Sequence, residues 1–374
     1  MPKWDPNVPY NDLPPPPTVD ELETRSVLKA AIAANAAVAQ LDQAARSIPN
    51  PSVLINTIPL LEAQASSEIE NIVTTTDALF RHMSVTDATA DPATRETLRY
   101  RTALRVGFEG VVDRGLTMKT ASLICTTIKD REMNIRSLPG TRIGNPVTQE
   151  ITYSPPEGPD VIAGMLQDWE KFVHSTDGMD PIVRMAAAHY QFEAIHPFAD
   201  GNGRTGRILN VLLLVEAGLL HAPLLYLSRY IIETKNEYYR LLLEVTKSGA
   251  WEEWVLYILA GVTQTSRSTV HKIAAIRMLQ RDFATKARAA TKGGSDSEFR
   301  SVLFEQPYCR IKTVMRRCDV SRPTATGWLS ALVDADLLED IKVGRDRLFV
   351  NRRFLDLLTR NEDLVIPQTQ QALF

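Results

Sequence analysis

The sequence predicts a mainly α-helical protein: a helical bundle with one small β-hairpin, followed by a helix-turn-helix unit that ends in a second hairpin. Three observations carry this. Apolar residues recur at helical spacing through most of positions 27–286. One segment, PGTRIGNPVTQEITYSPPEG, breaks that rhythm with glycines, prolines and β-branched residues. After the small polar stretch TKGGSDSE, helical spacing returns and closes on KVGRDRLFV.

The elements follow in order. PYNDLPPPPTVDELE is proline-rich and reads as an extended arm laid over a domain surface. The alanine-rich run from Val27 to Arg46 has strong helix propensity. Helical spacing continues over 52–64, and then in a run with Ile69, Val73 and Phe80 on one stripe. Helices follow over 92–114 and 119–130. The hairpin turns around Gly144-Asn145-Pro146 and closes at Pro155-Pro156. From Val161 helices run on to about Lys286, and 298–360 form a separate compact unit. Three regions are expected: 1–115, 116–290 and 291–374.

Composition sets the limits. Of 374 residues, 44% are hydrophobic and 23% charged, the balance of an ordinary globular chain with ample length for a core. A net charge of -3 argues against binding polyanions by bulk electrostatics. The start, MPKWDPNVPY, lacks the basic and apolar regions of a signal peptide. The longest apolar region, ILNVLLLVEAGLLHAPLLYL, is interrupted by Asn210, Glu216 and Pro223 and reads as core, so no membrane partner is expected. Cys125, Cys309 and Cys318 form no CxxC pair and, being three, no disulfide framework. A cytoplasmic protein without a cysteine metal site is expected.

The chemistry lies in HPFADGNGRTGR, residues 196–207. GNGRTG has the spacing of a dinucleotide fingerprint, but helical spacing precedes it at Met185, His189, Phe192 and Ile195, where the fingerprint needs a strand. The alternative is helix, polar loop, helix. Pro197 disfavours helical geometry at His196, so the first helix ends there. The glycines allow close backbone approach, and a second helix begins near Arg204 with its free N–H groups and positive dipole end facing an anion. Arg204 and Arg207 lie one turn apart and can face the same anion. Asp200 beside a phosphate site suits Mg²⁺. His196 is largely neutral at pH 7 and can take a proton. This is equipment for phosphoryl-type transfer, where positioning and charge stabilisation dominate. Each residue alone would be an ordinary loop or helix-start residue; the joint spacing makes the case.

That segment resembles, at every motif position, the Fic family signature HxFx(D/E)GNGRxxR. The resemblance implies a Fic-type helical bundle and transfer of AMP from Mg-ATP to a Tyr, Thr or Ser hydroxyl of a protein target. By the same resemblance, His196 deprotonates the acceptor and Asp200 holds Mg²⁺ on the α- and β-phosphates. Asn202 and the N–H groups of Gly201 and Gly203 bind phosphate oxygens, in a turn that includes Thr205 and Gly206. Arg204 stabilises β-phosphate charge and Arg207 grips the γ-phosphate. The hairpin over 139–153 is similar to the family's flap, which aligns the target by strand addition, with Ile143 as the apolar residue at its tip. Tyr238 and Tyr239 fall where adenine contacts occur, Tyr239 being the better placed; a tyrosine pair on a helix is also ordinary core.

The stretch SSEIEN, residues 66–71, has two readings. Ser67 and Glu70 have capping-box spacing, with Ser67 as N-cap. Ser66, Glu70 and Asn71 also fit the family's inhibitory motif (S/T)xxxE(G/N), which implies that Glu70 reaches Arg207 and takes the γ-phosphate's place. The two are compatible if Ser66 holds a helix start while Glu70 points into the site. Glu70 could instead orient a water that removes AMP.

In the last unit, FRSVLFEQPYCRIKTVMRRCDVSRPTATGWLSALVDADLLEDIKVGRDRLFV reads as a winged helix-turn-helix with Gly344 at the hairpin tip. Ser321 caps its third helix and Pro323 lies in the first turn. Arg310, Lys312, Arg316, Arg317 and Arg322 make one face basic, as DNA contact requires. Asp334, Asp336, Glu339 and Asp340 lie just behind, and such units also serve protein docking or homodimer contacts. A DNA-binding regulator with a nucleotide-sensing core is therefore the rival reading.

Overall fold

A computed structural model describes residues 4–48, 50–83, 90–144, 148, 150–291, 297–343 and 346–360. The proline-rich start is an arm over the surface, as expected. The Tyr10 N–H donates to the Ser154 carbonyl at 3.0 Å, and Gln191 Nε2 donates to the Pro14 carbonyl at 2.9 Å. A short helix α1 (Val19–Leu22) leads into α2 (Arg25–Arg46), which Thr24 caps by accepting from the Val27 N–H. Next come α3 (Ser52–Ile69), α4 (Thr76–His82), α5 (Pro92–Arg114) and α6 (Met118–Lys129).

The hairpin is a two-stranded antiparallel pair, β1 (Ile143–Gly144) with β2 (Ile151–Tyr153), in which Ile143 faces Tyr153. Most of its turn, with Asn145 and Pro146, lies outside the described residues. Then follow α7 (Pro159–Val173), α8 (Pro181–Ile195), α9 (Asn202–Glu216), α10 (Leu227–Glu233) and α11 (Lys235–Ser248). The 40-residue α12 (Trp251–Ala290) is about 60 Å long at 1.5 Å per residue.

Helix α8 explains itself locally. Asp180 caps its start by accepting from the Ile182 and Val183 N–H groups, Pro181 is its first residue, and it stops before Pro197. Both α8 and α9 are buried nearly all round, which is why neither shows a clean polar face in the sequence. Helix α12 packs against α2, α8, α10 and α11. Its far end meets the last unit, where Phe283 and Phe304 stand edge to face at 5.2 Å.

That unit comprises α13 (Ser297–Glu305), β3 (Tyr308–Arg310), α14 (Ile311–Cys318), α15 (Arg322–Asp334), β4 (Glu339–Val343), β5 (Asp346–Val350) and α16 (Arg352–Thr359). Its sheet is antiparallel in the order β3-β5-β4. Ser321 caps α15 as expected. The expected linker TKGGSDSE and the hairpin tip with Gly344 lie largely outside the described residues. Among the described residues no helix is long and apolar enough to cross a membrane.

Two expectations about 64–80 are corrected. No single stripe carries Ile69, Val73 and Phe80: α3 ends at Ile69, α4 starts separately at Thr76, and Val73 is 68% exposed. Nor is Ser67 an N-cap, or Ser66 a helix start, because both lie in the last turn of α3 and the buried Ser67 Oγ has no partner among the described residues. Glu70 closes that helix. Asn71 takes a left-handed φ of 61°, its N–H donates to the Glu68 carbonyl at 2.9 Å, and the Ile72 N–H donates to the Ser67 carbonyl at 2.9 Å. That pair of bonds is a Schellman C-cap, which wants glycine or asparagine at the left-handed position.

Asn71→Gly should therefore leave the urea midpoint near wild type, while Asn71→Val should lose about 1–2 kcal/mol, the usual left-handed penalty for a residue that lacks asparagine's short polar side chain. Equal midpoints for the two variants would contradict this turn geometry.

Candidate active site

A cavity of about 420 Å³ opens between the end of α3, the hairpin, the α8–α9 turn and α11. Glu70, Glu193, His196 and Arg207 belong to its polar lining, and Tyr239 and Leu242 also line it. His196 closes α8 in a left-handed conformation, φ 50°, which turns the chain toward the loop. Its Nδ1 lies 3.3 Å from the Glu193 carbonyl, which suits the tautomer with the proton on Nδ1 and a free Nε2. The ring is half-buried, and burial pushes its pKa down to about 4, so the imidazole is neutral at pH 7.

The loop is held from below. Gly201 has φ 85°, and a Cβ there would lie 3.2 Å from Cys125 Sγ, so α6 packs directly under the turn. The Cys125 thiol donates to the Asp200 carbonyl at 3.3 Å. Asn202 departs from its expected part. Its amide accepts from the Phe198 N–H at 2.8 Å and donates to the Phe198 carbonyl at 2.7 Å, so the side chain shapes the loop. Thr205 is fully buried, and Gly206 lies in the following turn of α9.

The two arginines both act on the Glu70 carboxylate but take different hydrogen-bond partners. Arg204 Nη1 donates to Glu96 on α5 at 2.8 Å. Arg207 turns the other way. Its Nε donates to Ser66 Oγ at 2.8 Å, and its Nη2 donates to the Ser66 carbonyl at 2.9 Å and to Glu70 Oε1 at 2.8 Å. A Cβ on Gly203 would meet Glu70 Oε1 at 2.3 Å, so the carboxylate rests on the first turn of α9, where an anion is favoured. Burial pushes the Glu70 pKa up, but the Arg207 charge and hydrogen bond, with Arg204 beyond, hold it below the usual carboxylate range. Asn71 Oδ1 accepts from Lys235 at 3.3 Å.

Asp200 reaches the loop surface, half-exposed, 2.6 Å from Lys129 Nζ. Lys129 also meets Glu96 at 3.1 Å. Arg204, Glu96, Lys129 and Asp200 thus alternate in charge along one row. Among the described residues no three metal-ligating side chains gather. A lone half-exposed carboxylate beside an anion site still fits Mg²⁺, which takes one or two carboxylates and fills its shell with phosphate oxygens and water.

Ile143 does not stand at a hairpin tip. It lies within β1 and lines the cavity opposite Tyr153, whose O–H donates to the Ala194 carbonyl at 2.9 Å. Tyr238 is buried and shares a 2.8 Å hydrogen bond with His189, while Tyr239 is 44% exposed beside the cavity.

Four more residues shape the site without any motif. Glu96 and Lys129 are two. Arg136 is the third: its guanidinium donates to the carbonyls of His196 at 2.8 Å and Ile195 at 3.2 Å, and to that of Pro156 at the hairpin's foot. Glu62 is the fourth. It lies two turns before Glu70 on α3, accepts from the Ser228 N–H at 3.0 Å and from Tyr100 at 3.3 Å, and burial pushes its pKa up to about 7. It pins α3 to α10 and α5. Long-range pairing of isolated charged residues leaves no spacing signal.

Residues 28–109 match the Fic/DOC family N-terminal model, 122–214 the Fic/DOC family model, and 279–354 the model of the C-terminal domain of the SoFic-like protein adenylyltransferase. Protein adenylyltransferase fic-1 of Caenorhabditis briggsae is 38% identical over 105 residues, 28% of this chain and 19% of that protein. A probable protein adenylyltransferase of Aquifex aeolicus is 36% identical over 92 residues, 25% of this chain and 28% of that one. The chain spans about a fifth of the length of the first curated relatives it matches. A Fic family protein from Desulfovibrio desulfuricans has the same fold, with a TM-score of 0.55 at 17% identity over 90% of this chain and 98% of its own. Fic-1 from Caenorhabditis elegans aligns with a TM-score of 0.50 at 22% identity, over 67% and 75%.

Gly203→Ala should push the Glu70 carboxylate off α9, since a flexible side-chain end yields first. Amide exchange at residues 70–72 should then speed up by about tenfold or more. Unchanged exchange would place the carboxylate elsewhere.

Proposed function

Since the chain belongs to the Fic/DOC family, we propose that it is a protein adenylyltransferase, a nucleotidyltransferase moving AMP from Mg-ATP to a hydroxyl, and that Glu70 holds it inactive. The acceptor is a Tyr, Thr or Ser of a protein target or of the chain itself. One observation carries the reading: Glu70 lies on Arg207 and against Gly203, at the mouth of α9, in the cavity that His196 also lines.

The chemistry follows from those positions. Neutral His196 takes the proton of the acceptor hydroxyl through its free Nε2. The oxygen attacks the α-phosphorus, the bond to the bridging oxygen breaks, and pyrophosphate leaves. The N–H groups at the start of α9 and the Arg207 guanidinium stabilise phosphate charge. Asp200 would hold Mg²⁺, which supplies further charge neutralisation. The Ile143 strand edge would align the target backbone by strand addition, and Tyr239 would face the adenine.

With Glu70 in place, Arg207 has no free fork for a γ-phosphate. ATP can then bind only with its phosphates turned from the in-line pose. Residues 1–115 would carry this restraint, 116–290 the catalysis, and 291–374 a winged-helix-like docking unit. The rival reading as a DNA-binding regulator has weaker support, because Arg317 pairs with Glu298 and Glu305, Arg347 with Asp340, and Arg352 with Glu339. Cysteines that form no disulfide suit a reducing cytoplasm.

Incubated with Mg-ATP, Glu70→Gly should gain AMP increments in intact mass roughly a hundredfold faster than wild type, if the pair disfavours the productive pose by about 3 kcal/mol. Glu70→Gly combined with His196→Ala should gain none. Equal labelling of wild type and Glu70→Gly would remove the autoinhibition claim, and a phosphate increment would change the reaction class.

The pH profile gives a separate check. A base whose pKa is lowered to about 4 stays competent until the pH falls through that value. For Glu70→Gly, the acid limb of kcat/KM, which reports the free enzyme, should lie no higher than about 4, because the variant also loses the Glu70 charge that raises the imidazole pKa. A limb near the ordinary histidine value of about 6.5 would show that burial does not act on the base as described.

A further inference from the structure

Glu193 is a carboxyl group without a partner in the wall of the site. It stands one turn before His196 on α8. Its Oε1 is buried and has no hydrogen-bond partner among the described residues. A Cβ on Gly206 would come within 2.5 Å of that oxygen, so the carboxyl lies against the second turn of α9. The side chain lines the same cavity as Glu70, His196 and Arg207. A buried acceptor left unpaired is a standing cost to a fold, and a turn of the side chain from α9 toward the cavity would let a ligand complete it. Burial pushes the Glu193 pKa up to about 7, so near neutral pH the group can either donate or accept a hydrogen bond.

The position narrows the choice of ligand group. Phosphates belong one turn away, at Gly203 and Arg207, where Glu70 now rests. A carboxylate beside them would repel them. A flat base suits the lining of Tyr239, Leu242 and Leu243, and the Glu193 carboxyl acts on Tyr239 as well as on Arg207. Between phosphates and base lies the sugar, the one uncharged part of a nucleotide that carries hydroxyls.

We propose that Glu193 binds the ribose hydroxyls of the nucleotide and so selects ribonucleotides over deoxyribonucleotides. This rests on the reading of the cavity as a nucleotide site and adds to it a specificity-determining residue. A deoxy analogue leaves the carboxyl unpaired again, and a site built around a hydroxyl rejects ligands that lack it.

Titration calorimetry of the full chain with ATP, 2′-deoxy-ATP and 3′-deoxy-ATP tests this. Wild type should prefer ATP over at least one deoxy analogue by about tenfold or more. In Glu193→Ala the three should bind alike, and in Glu193→Gln, which keeps shape and hydrogen-bonding groups, the preference should persist. The proposal is overturned if wild type binds all three equally, a result that needs no variant to fold. It is equally overturned if Glu193→Ala keeps the wild-type preference. Failure of the parent reading looks different: wild type then binds none of the three.

Discussion

A buried guanidinium has to be paired, and Arg207 is almost completely buried. Its fork is filled from one side only, by the last turn of α3, through the Ser66 hydroxyl and carbonyl and the Glu70 carboxylate. Much else in the molecule serves that contact. The α3 helix must end where Glu70 can turn inward, so Asn71 takes the left-handed cap. Gly203 must be bare, because any Cβ there would strike the carboxylate. Behind the same helix, Glu62 ties α3 to Ser228 and Tyr100. An acidic side chain from the first part of the chain thereby completes a cation from the second.

The loop at the start of α9 is built by the same logic. Nearly every charged group in it already has an opposite partner: Arg204 with Glu96, Glu96 with Lys129, Lys129 with Asp200. Such a row keeps buried or half-buried charges at tolerable cost with no ligand present. It also orients them, since Glu96 and Lys129 in the middle of the row are each held from both sides. Arg136 does for the backbone what the row does for side chains. By gripping three successive features, the hairpin's foot and the carbonyls of Ile195 and His196, it secures the turn that presents the imidazole. Glu193 is the exception to the pairing.

Helix α12 connects this site to the rest of the chain. It packs on α2 from the N-terminal region and on α8 beneath the turn at His196, and its far end meets α13, α15 and α16. Lys272 on α12, 3% exposed, donates to the carbonyls of Leu357 and Leu358 at the end of α16. Asn50, just before α3, bonds Ser301. The last unit therefore rests on the same helices that frame the segment carrying Glu70, and it is a packed part of the assembly.

The sequence by itself determined the helical class, the hairpin, the arm, the end of α8 at His196, and the grouping of loop residues at 196–207. All of these are local: periodicity, proline, glycine and short spacing act over one or two turns, within reach of a linear reading. It also paired Glu70 with Arg207, but only through resemblance, since 137 residues separate them. Only the tertiary structure decided which end of a helix Glu70 occupies. Ser67 and Glu70 have N-cap spacing, yet the packing of α3 against α10 and α5 carries the helix through Ser67, and Asn71 then ends it. Only the structure gave Arg204 to Glu96, folded the Asn202 amide back onto Phe198, and left Glu193 alone. The reason is physical. A buried charge is satisfied by whatever the fold brings within about 3 Å, and that neighbour can lie anywhere along the chain.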